Sequence, residues 1–225
     1  MTEGVFPAVT SRAFPGQTGI ETAEQAAGWR RVADSVHAAG GRIFMQVMNG
    51  GRLSHASLLE GEQPVAPSAL ASGTAVRDFE SRKECPVPRA LAREELRRII
   101  DEFRQAARNA VDAGMDGVEI HGANGYLLHQ FLSPSSNHRE DAYGGSPENR
   151  YRLVEEVVRA AAEEIGADRV ALRLSPQNNI QGIAETDAAD VLATYGGLLR
   201  ATADLGLAYV SFLNPKPTGE LISEL

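Results

Sequence analysis

The sequence predicts an α/β protein built as a (β/α)8 TIM barrel, and three observations predict it. Segments with the period of amphipathic helices alternate with short apolar runs of strand length, the pattern of a parallel sheet under covering helices. No Gly-x-Gly-x-x-Gly follows any of those runs, which weakens the dinucleotide-fold alternative. One run, Gly117 to Ile120, leads into a turn that carries His121, Asn124 and Tyr126, three polar side chains in six residues where α/β barrels build active sites.

The elements follow in order. Met1 to Val5 reads as a strand remnant. Thr22 and Gln25 have the spacing of a capping box, and Ala26, Trp29, Val32, Ala33 and Val36 recur at helical intervals until Gly40-Gly41. Arg42 to Met48 reads as a buried strand. From Asn49 to about residue 90 no period is legible, and a stretch of this length in a compact domain is a lid or binding excursion. Arg93 to Ala113 is predicted helical, burying Leu96, Ile99, Ile100, Phe103, Ala107, Ala110 and Val111 before Gly114 stops it. Ser146-Pro147 is an N-cap with proline in the first helical position, launching a helix with Leu153, Val154, Val157, Val158 and Ala161 inward. Val170 to Leu174 is a strand, Asp187 to Asp204 a helix, and Leu207 to Phe212 another strand.

Composition narrows the class. With 225 residues, 43% of them hydrophobic, the chain can bury a sizeable core as one domain over 1–225. A net charge of −8 argues against a nucleic-acid or membrane-surface partner, because both need a basic footprint. Cys85 is the only cysteine, which excludes disulfides, iron–sulfur clusters and thiolate zinc sites within one chain. No apolar run reaches the roughly eighteen residues of a membrane span, and Met1 to Pro7 lacks the pattern of a signal peptide, so a cytoplasmic location is expected.

Alone, His121 and Asn124 are equally well explained as hydrogen-bonded loop residues and Tyr126 as core. The longer run decides between the readings. From His121 through Ala123, Asn124, Gly125, Tyr126, Leu127, Gln130, Phe131, Leu132 and Pro134, and on through Asn137, Arg139, Asp141, Tyr143, Gly144, Gly145, Ser146, Glu148, Asn149 and Arg150, it resembles the signature of the old yellow enzyme family, the FMN-dependent ene-reductases. Every fixed position of that pattern is met.

The resemblance implies FMN as cofactor, NADPH or NADH as reductant, and a small electrophilic alkene as substrate. It implies that His121 and Asn124 donate to the oxygen on which negative charge builds, and that Tyr126 is the proton donor, a role for which a phenol of pKa near 10 is suited. It implies that Gln46 pairs with the pyrimidine edge of the flavin, that Arg173 lies near its N1 and O2, and that the Gly4 backbone approaches the ring. Met48 and Asn49 stand where the family often has an aromatic residue and a His, and Phe14 where it often has a Tyr, so a softer substrate pocket is expected there.

Aligned on the family, Thr2-Glu3-Gly4 falls at the end of the second barrel strand, so the chain is expected to hold about the second to sixth strands. The first strand, and the loops after strands seven and eight that hold the FMN phosphate, are not in this sequence, and reduced FMN affinity is expected. An open barrel leaves unpaired strand edges, so the chain is expected to form a homo-oligomer or to be poorly soluble.

Three other readings compete. The chain could be an inactive fragment or split half-barrel that needs a partner. A cofactor-free barrel lyase lacks a Schiff-base candidate, since neither Lys83 nor Lys216 falls on a strand end. Metal-dependent hydrolysis is weak, because His121 has no second ligand at metal spacing on its turn.

Overall fold

Five parallel strands run side by side in chain order, which is the strand order of a barrel that has not closed. They are β1 (Gly4–Val5), β2 (Phe44–Val47), β7 (Gly117–Gly122), β8 (Val170–Leu174) and β9 (Tyr209–Phe212) in a computed structural model that describes residues 1–214 and 220–225. The helices are α1 (Ala23–Ala38), α2 (Arg93–Asp112), α3 (Leu127–Leu132), α4 (Pro147–Ile165), α5 (Ala188–Thr202) and α6 (Glu220–Glu224). Lys216 lies outside the described residues. No described helix is long and apolar enough to cross a membrane.

Parallel pairing buries a strand on both faces, and all six residues of β7 are buried. Val118 and Ile120 join the apolar cluster formed with α2 and α4, together with Met45, Val47 and Leu172. The alternate residues form an inward row in register: Gly4, Gln46, Glu119, Ala171 and Tyr209. One level nearer the strand C-termini, His121, Arg173 and Ser211 are in register. The floor is filled by Phe44 and Tyr209, whose ring centres lie 5.8 Å apart. Gly117 is required beneath them, since any side chain there would run into the Phe44 ring and the Arg169 carbonyl.

Helix starts agree with the sequence. Gln25 N–H donates to Thr22 Oγ1 at 3.2 Å, and Thr22 N–H to Gln25 Oε1 at 3.1 Å. Ser146 caps α4, and Asp187 caps α5 through the Ala189 and Asp190 amides. The buried stripe of α2 runs through Leu96, Ile99, Ile100, Phe103, Ala106, Ala107 and Ala110, while Val111 is only half-buried.

Two expectations need correcting. Of the predicted inward face of α1, only Ala33 is fully buried and Val32 is 41% exposed, because among the sequence-adjacent helices only α2 packs beside α1 on the edge next to β1. The excursion from 49 to 90 is also not without order. It contains β3 (Val65–Ala66) paired parallel with β6 (Arg89–Ala90), and a hairpin of β4 (Ala75–Arg77) with β5 (Arg82–Glu84), which holds Lys83. Arg52, 1% exposed, ties the excursion down by donating to the Leu70 and Gly182 carbonyls at 3.2 and 2.7 Å.

The signature's second half builds the scaffold. Arg150, the last position of the signature, is buried and donates to the Leu132 carbonyl, the Gly145 carbonyl, the Asp190 carboxylate and Thr194 Oγ1, fastening α3, α4 and α5 together. Arg150→Met should therefore cost about 2–4 kcal/mol in urea unfolding, the range for stranding buried partners of a charge. With β1 and β9 at open edges, the 225-residue chain should associate with rising concentration in sedimentation; a monodisperse, cooperatively melting monomer would contradict this.

Candidate active site

The C-terminal end of β7 determines where the polar side chains stand. His121 is the strand's last inward residue, and the chain then turns through Asn124 and Gly125, both left-handed with φ of +56° and +79°, before α3 begins. Such a turn costs a non-glycine residue free energy, so Asn124 must be held. Its amide N–H donates to Ser175 Oγ at 2.8 Å, and its Oδ1 accepts from Asn178 Nδ2 at 3.1 Å, which leaves its Nδ2 as the donor it can offer. Gln130 closes the turn from below, donating to the Gly125 carbonyl at 2.8 Å.

The structure brings His121 and Tyr126 together, their ring centres 5.3 Å apart and near edge-on. His121 is 3% exposed, and burial, then the Arg173 charge, then His129 pull its pKa down to about 3. The ring is thus neutral at ordinary pH, and its buried Nδ1 has no partner. Burial raises the Tyr126 phenol above its usual value, against a side-chain bond to Gln181 that lowers it. A phenol in that state keeps its proton at neutral pH.

Below this level stands a residue that the sequence reading passed over. Glu119 is wholly buried, two residues before His121 on the same face. Its Oε1 accepts from Gln46 Nε2 at 2.7 Å and lies 3.3 Å from Arg173 Nε, and Tyr209 is close enough for its phenol to feel the charge. Burial and then Glu119 push the Tyr209 phenol up to about 12. Gln46 and Arg173 are therefore brought together, through Glu119, as a polar network across the strands. The Gln46 Nε2 amide is spent on Glu119, and what it can present to a ligand is its other face. The signal for Glu119 was available, since a lone acid in the apolar run Val118 to Ile120 is at odds with a strand buried on both sides.

Gly4 sits in the same row, and Met48, 2% exposed, packs its sulfur where a Gly4 side chain would be. Asn49 builds the next turn: its Nδ2 donates to Ser11 Oγ and its Oδ1 accepts from the Gly51 amide. Phe14 is half-buried in the β1–α1 connection and does not join the His121–Tyr126 ring pair.

Polar side chains gathered at the C-terminal ends of parallel strands, over a filled interior, define a barrel enzyme's active end. The sequence profile of the NADH:flavin oxidoreductase / NADH oxidase family matches residues 1–221, and the chain belongs to that family, as its old yellow enzyme resemblance implied. It is 41% identical over 207 residues to a flavin oxidoreductase of Emericella nidulans, covering 90% of this chain and 52% of that protein. It is 47% identical over 181 residues to a probable flavin mononucleotide-dependent alkene reductase of Leishmania infantum, covering 77% and 49%. Among solved structures, the old yellow enzyme homologue of Zymomonas mobilis superposes with a TM-score of 0.91 at 36% identity, covering 97% of this chain and 60% of that one. A morphinone reductase solved with tetrahydroNAD gives 0.90 at 40% identity, covering 99% and 62%. The chain spans about half the length of the curated relatives it matches.

The low pKa of His121 fixes the sign of one pH effect. The unfolded chain takes up a proton below about 6.5 that the folded chain refuses until about 3, so stability is full above that window and falls as pH drops through it. Between pH 7 and 4.5 the wild type should lose on the order of 2 kcal/mol more than His121→Asn in urea unfolding. Equal losses would show that His121 titrates as an ordinary imidazole.

Proposed function

We propose that this chain carries the strand-end site of an FMN-dependent oxidoreductase that passes reducing equivalents from NADPH or NADH to the activated C=C bond of enones, nitroalkenes and similar electrophiles. The observation that carries this reading is the neutral, buried His121, with an unpartnered Nδ1, edge-on to Tyr126. Family membership supports the flavin, and the tetrahydroNAD bound to a morphinone reductase supports a nicotinamide reductant. An acidic surface charge and a single buried Cys85 suit work in the cytoplasm on a small molecule rather than on nucleic acid or membrane.

The inward row fits the ring of a flavin. Arg173 Nε and Glu119 Oε2 are buried without hydrogen-bond partners, and Gly4 stands in the same row with no side chain to intrude on it. Arg173, Gln46 and Gly4 would hold the ring; the phosphate end has no counterpart among these residues. Bound FMN would deliver hydride to the β-carbon of the alkene.

The chain's own groups do the rest. His121 and the Asn124 Nδ2 amide donate to the carbonyl or nitro oxygen, where they stabilise the charge that develops there at no cost in reorganisation. Tyr126 gives its proton at the α-carbon, and its raised pKa keeps that proton available until the carbanion calls for it. Met48 and Phe14 shape the substrate side, with a flexible thioether where an aromatic wall is common in the family.

A second reading, a half-barrel completed by another chain, draws on the open edges at β1 and β9. One experiment separates the two. The purified chain is given FMN, then NADPH under nitrogen, then cyclohexenone. Bleaching by NADPH and return of colour with the enone is the expected result, and failure to take up FMN favours the second reading. Tyr126→Phe should slow reoxidation by the enone by about a hundredfold, the scale of general acid catalysis, and leave reduction by NADPH within a few-fold. Equal losses in both half-reactions would remove Tyr126 as proton donor.

A further inference from the structure

His129 lies within the signature run at a position the signature does not specify, yet it is wholly buried beneath the turn that the site depends on. Its Nδ1 accepts from the Gly125 amide at 2.9 Å. Ser175 Oγ, which accepts from the Asn124 amide at 2.8 Å, lies 3.4 Å from the same nitrogen. The amides of both left-handed residues therefore converge on one ring atom, directly or through one hydroxyl. An Nδ1 that accepts carries no proton, so the ring proton is on Nε2, 3.2 Å from Glu185 Oε1.

Glu185 is held in turn. It is 3% exposed, Tyr195 Oη donates to its Oε1 at 2.9 Å, and the Gln177 amide donates to its Oε2 at 2.8 Å. Tyr195 is wholly buried in α5, 74° from the plane of the His129 ring. The chain of bonds runs from α5 through the β8–α5 loop to α3 and ends at the turn. Tyr195, Glu185 and His129 are not among the residues assigned above to flavin or substrate.

We propose that His129 is a positioning residue: Glu185 locks its ring with Nδ1 as acceptor, and that nitrogen holds the Asn124–Gly125 turn in its left-handed form. The aim of the Asn124 amide and the Tyr126 phenol at the barrel mouth follows from that turn. This rests on the roles proposed above for those two residues, but the lock itself is a property of the free chain.

The test uses the 15N-labelled full chain. Ring-nitrogen correlation spectra should show His129 protonated at Nε2 and bare at Nδ1. His129→Leu removes both bonds and should speed amide exchange at Gly125 by at least about tenfold, as loss of one hydrogen bond in a local opening requires. His129→Asn keeps an acceptor near the position of Nδ1 while cutting the link to Glu185, and should bring Gly125 exchange back to within about threefold of wild type. A wild-type ring protonated at Nδ1, or exchange in the Leu variant equal to wild type, overturns the proposal. If the Leu variant does not fold, the wild-type ring pattern and the Asn variant decide, and Gly125 exchange in the Asn variant as fast as in an unprotected peptide overturns it.

With FMN bound, His129→Leu should lower the rate of reoxidation by cyclohexenone about tenfold and leave the FMN Kd and the rate of reduction by NADPH unchanged, with the Asn variant restoring the rate. Loss of FMN binding along with the rate would mark a merely structural residue and overturn the proposal. If instead Tyr126→Phe leaves the enone rate untouched, the reading of the site fails while the exchange result still decides the lock.

Discussion

A carboxylate with no exposure to solvent sets the level at which everything else in this site stands. Glu119 Oε1 accepts from Gln46 and lies against Arg173, with Tyr209 beside it, so one oxygen of a β7 side chain draws together groups from β2, β8 and β9. A slip of one residue in any of these pairings would turn the partner toward the helix layer and leave a buried charge without compensation, at a cost of several kcal/mol. Hydrophobic burial alone would tolerate more than one register in a sheet that is apolar on both faces. The polar row removes that freedom, and with the register fixed His121 and Arg173 necessarily meet one level higher.

The long signature divides between two physical tasks. His121, Asn124 and Tyr126 face the mouth, while Gln130, Asn137 and Arg150 satisfy backbone carbonyls in the connections around α3. Asn137 donates to the Phe131 and Tyr143 carbonyls, and Arg139 pairs with Asp141 while donating to the Leu91 carbonyl. A connection that doubles back between a strand and a helix buries peptide groups that no ladder can pair, and long side chains with several donors are what such a path needs. That is why so many specified positions follow the three polar residues of the strand end.

Most of the layered architecture was legible because helices of fifteen to twenty residues impose a period on the sequence, as the stripe of α2 does. What was not legible had no period to show. Strands of two or three residues, such as β3 and β4, are shorter than any repeat they would carry. The six residues of α3 are all buried, so no polar face alternates with an apolar one. The face of α1 followed the helical rule, but whether a stripe is covered depends on what packs beside it, and Val32 is left exposed. In the site, His121, Asn124 and Tyr126 could be read because they are close in sequence. The Gln46–Glu119 bond spans 73 positions and the His129–Glu185 bond 56, and no local pattern reports a partner at that distance.

Exclusion of water ties His121 and Tyr126 to each other. His121 is kept neutral and Tyr126 keeps its proton chiefly because both are buried, one at the strand end and the other against Gln181 of the β8–α5 loop. The desolvation that pulls the imidazole down pushes the phenol up, so a single change in cover moves both toward their ordinary values at once. A neutral imidazole offers a hydrogen bond without the charge that would repel Arg173, and a phenol of raised pKa holds its proton against water. The loop that covers them is anchored from below, by Arg52 at Gly182 and by Glu185 at Gln177, and from the mouth itself, where Asn178 donates to Asn124.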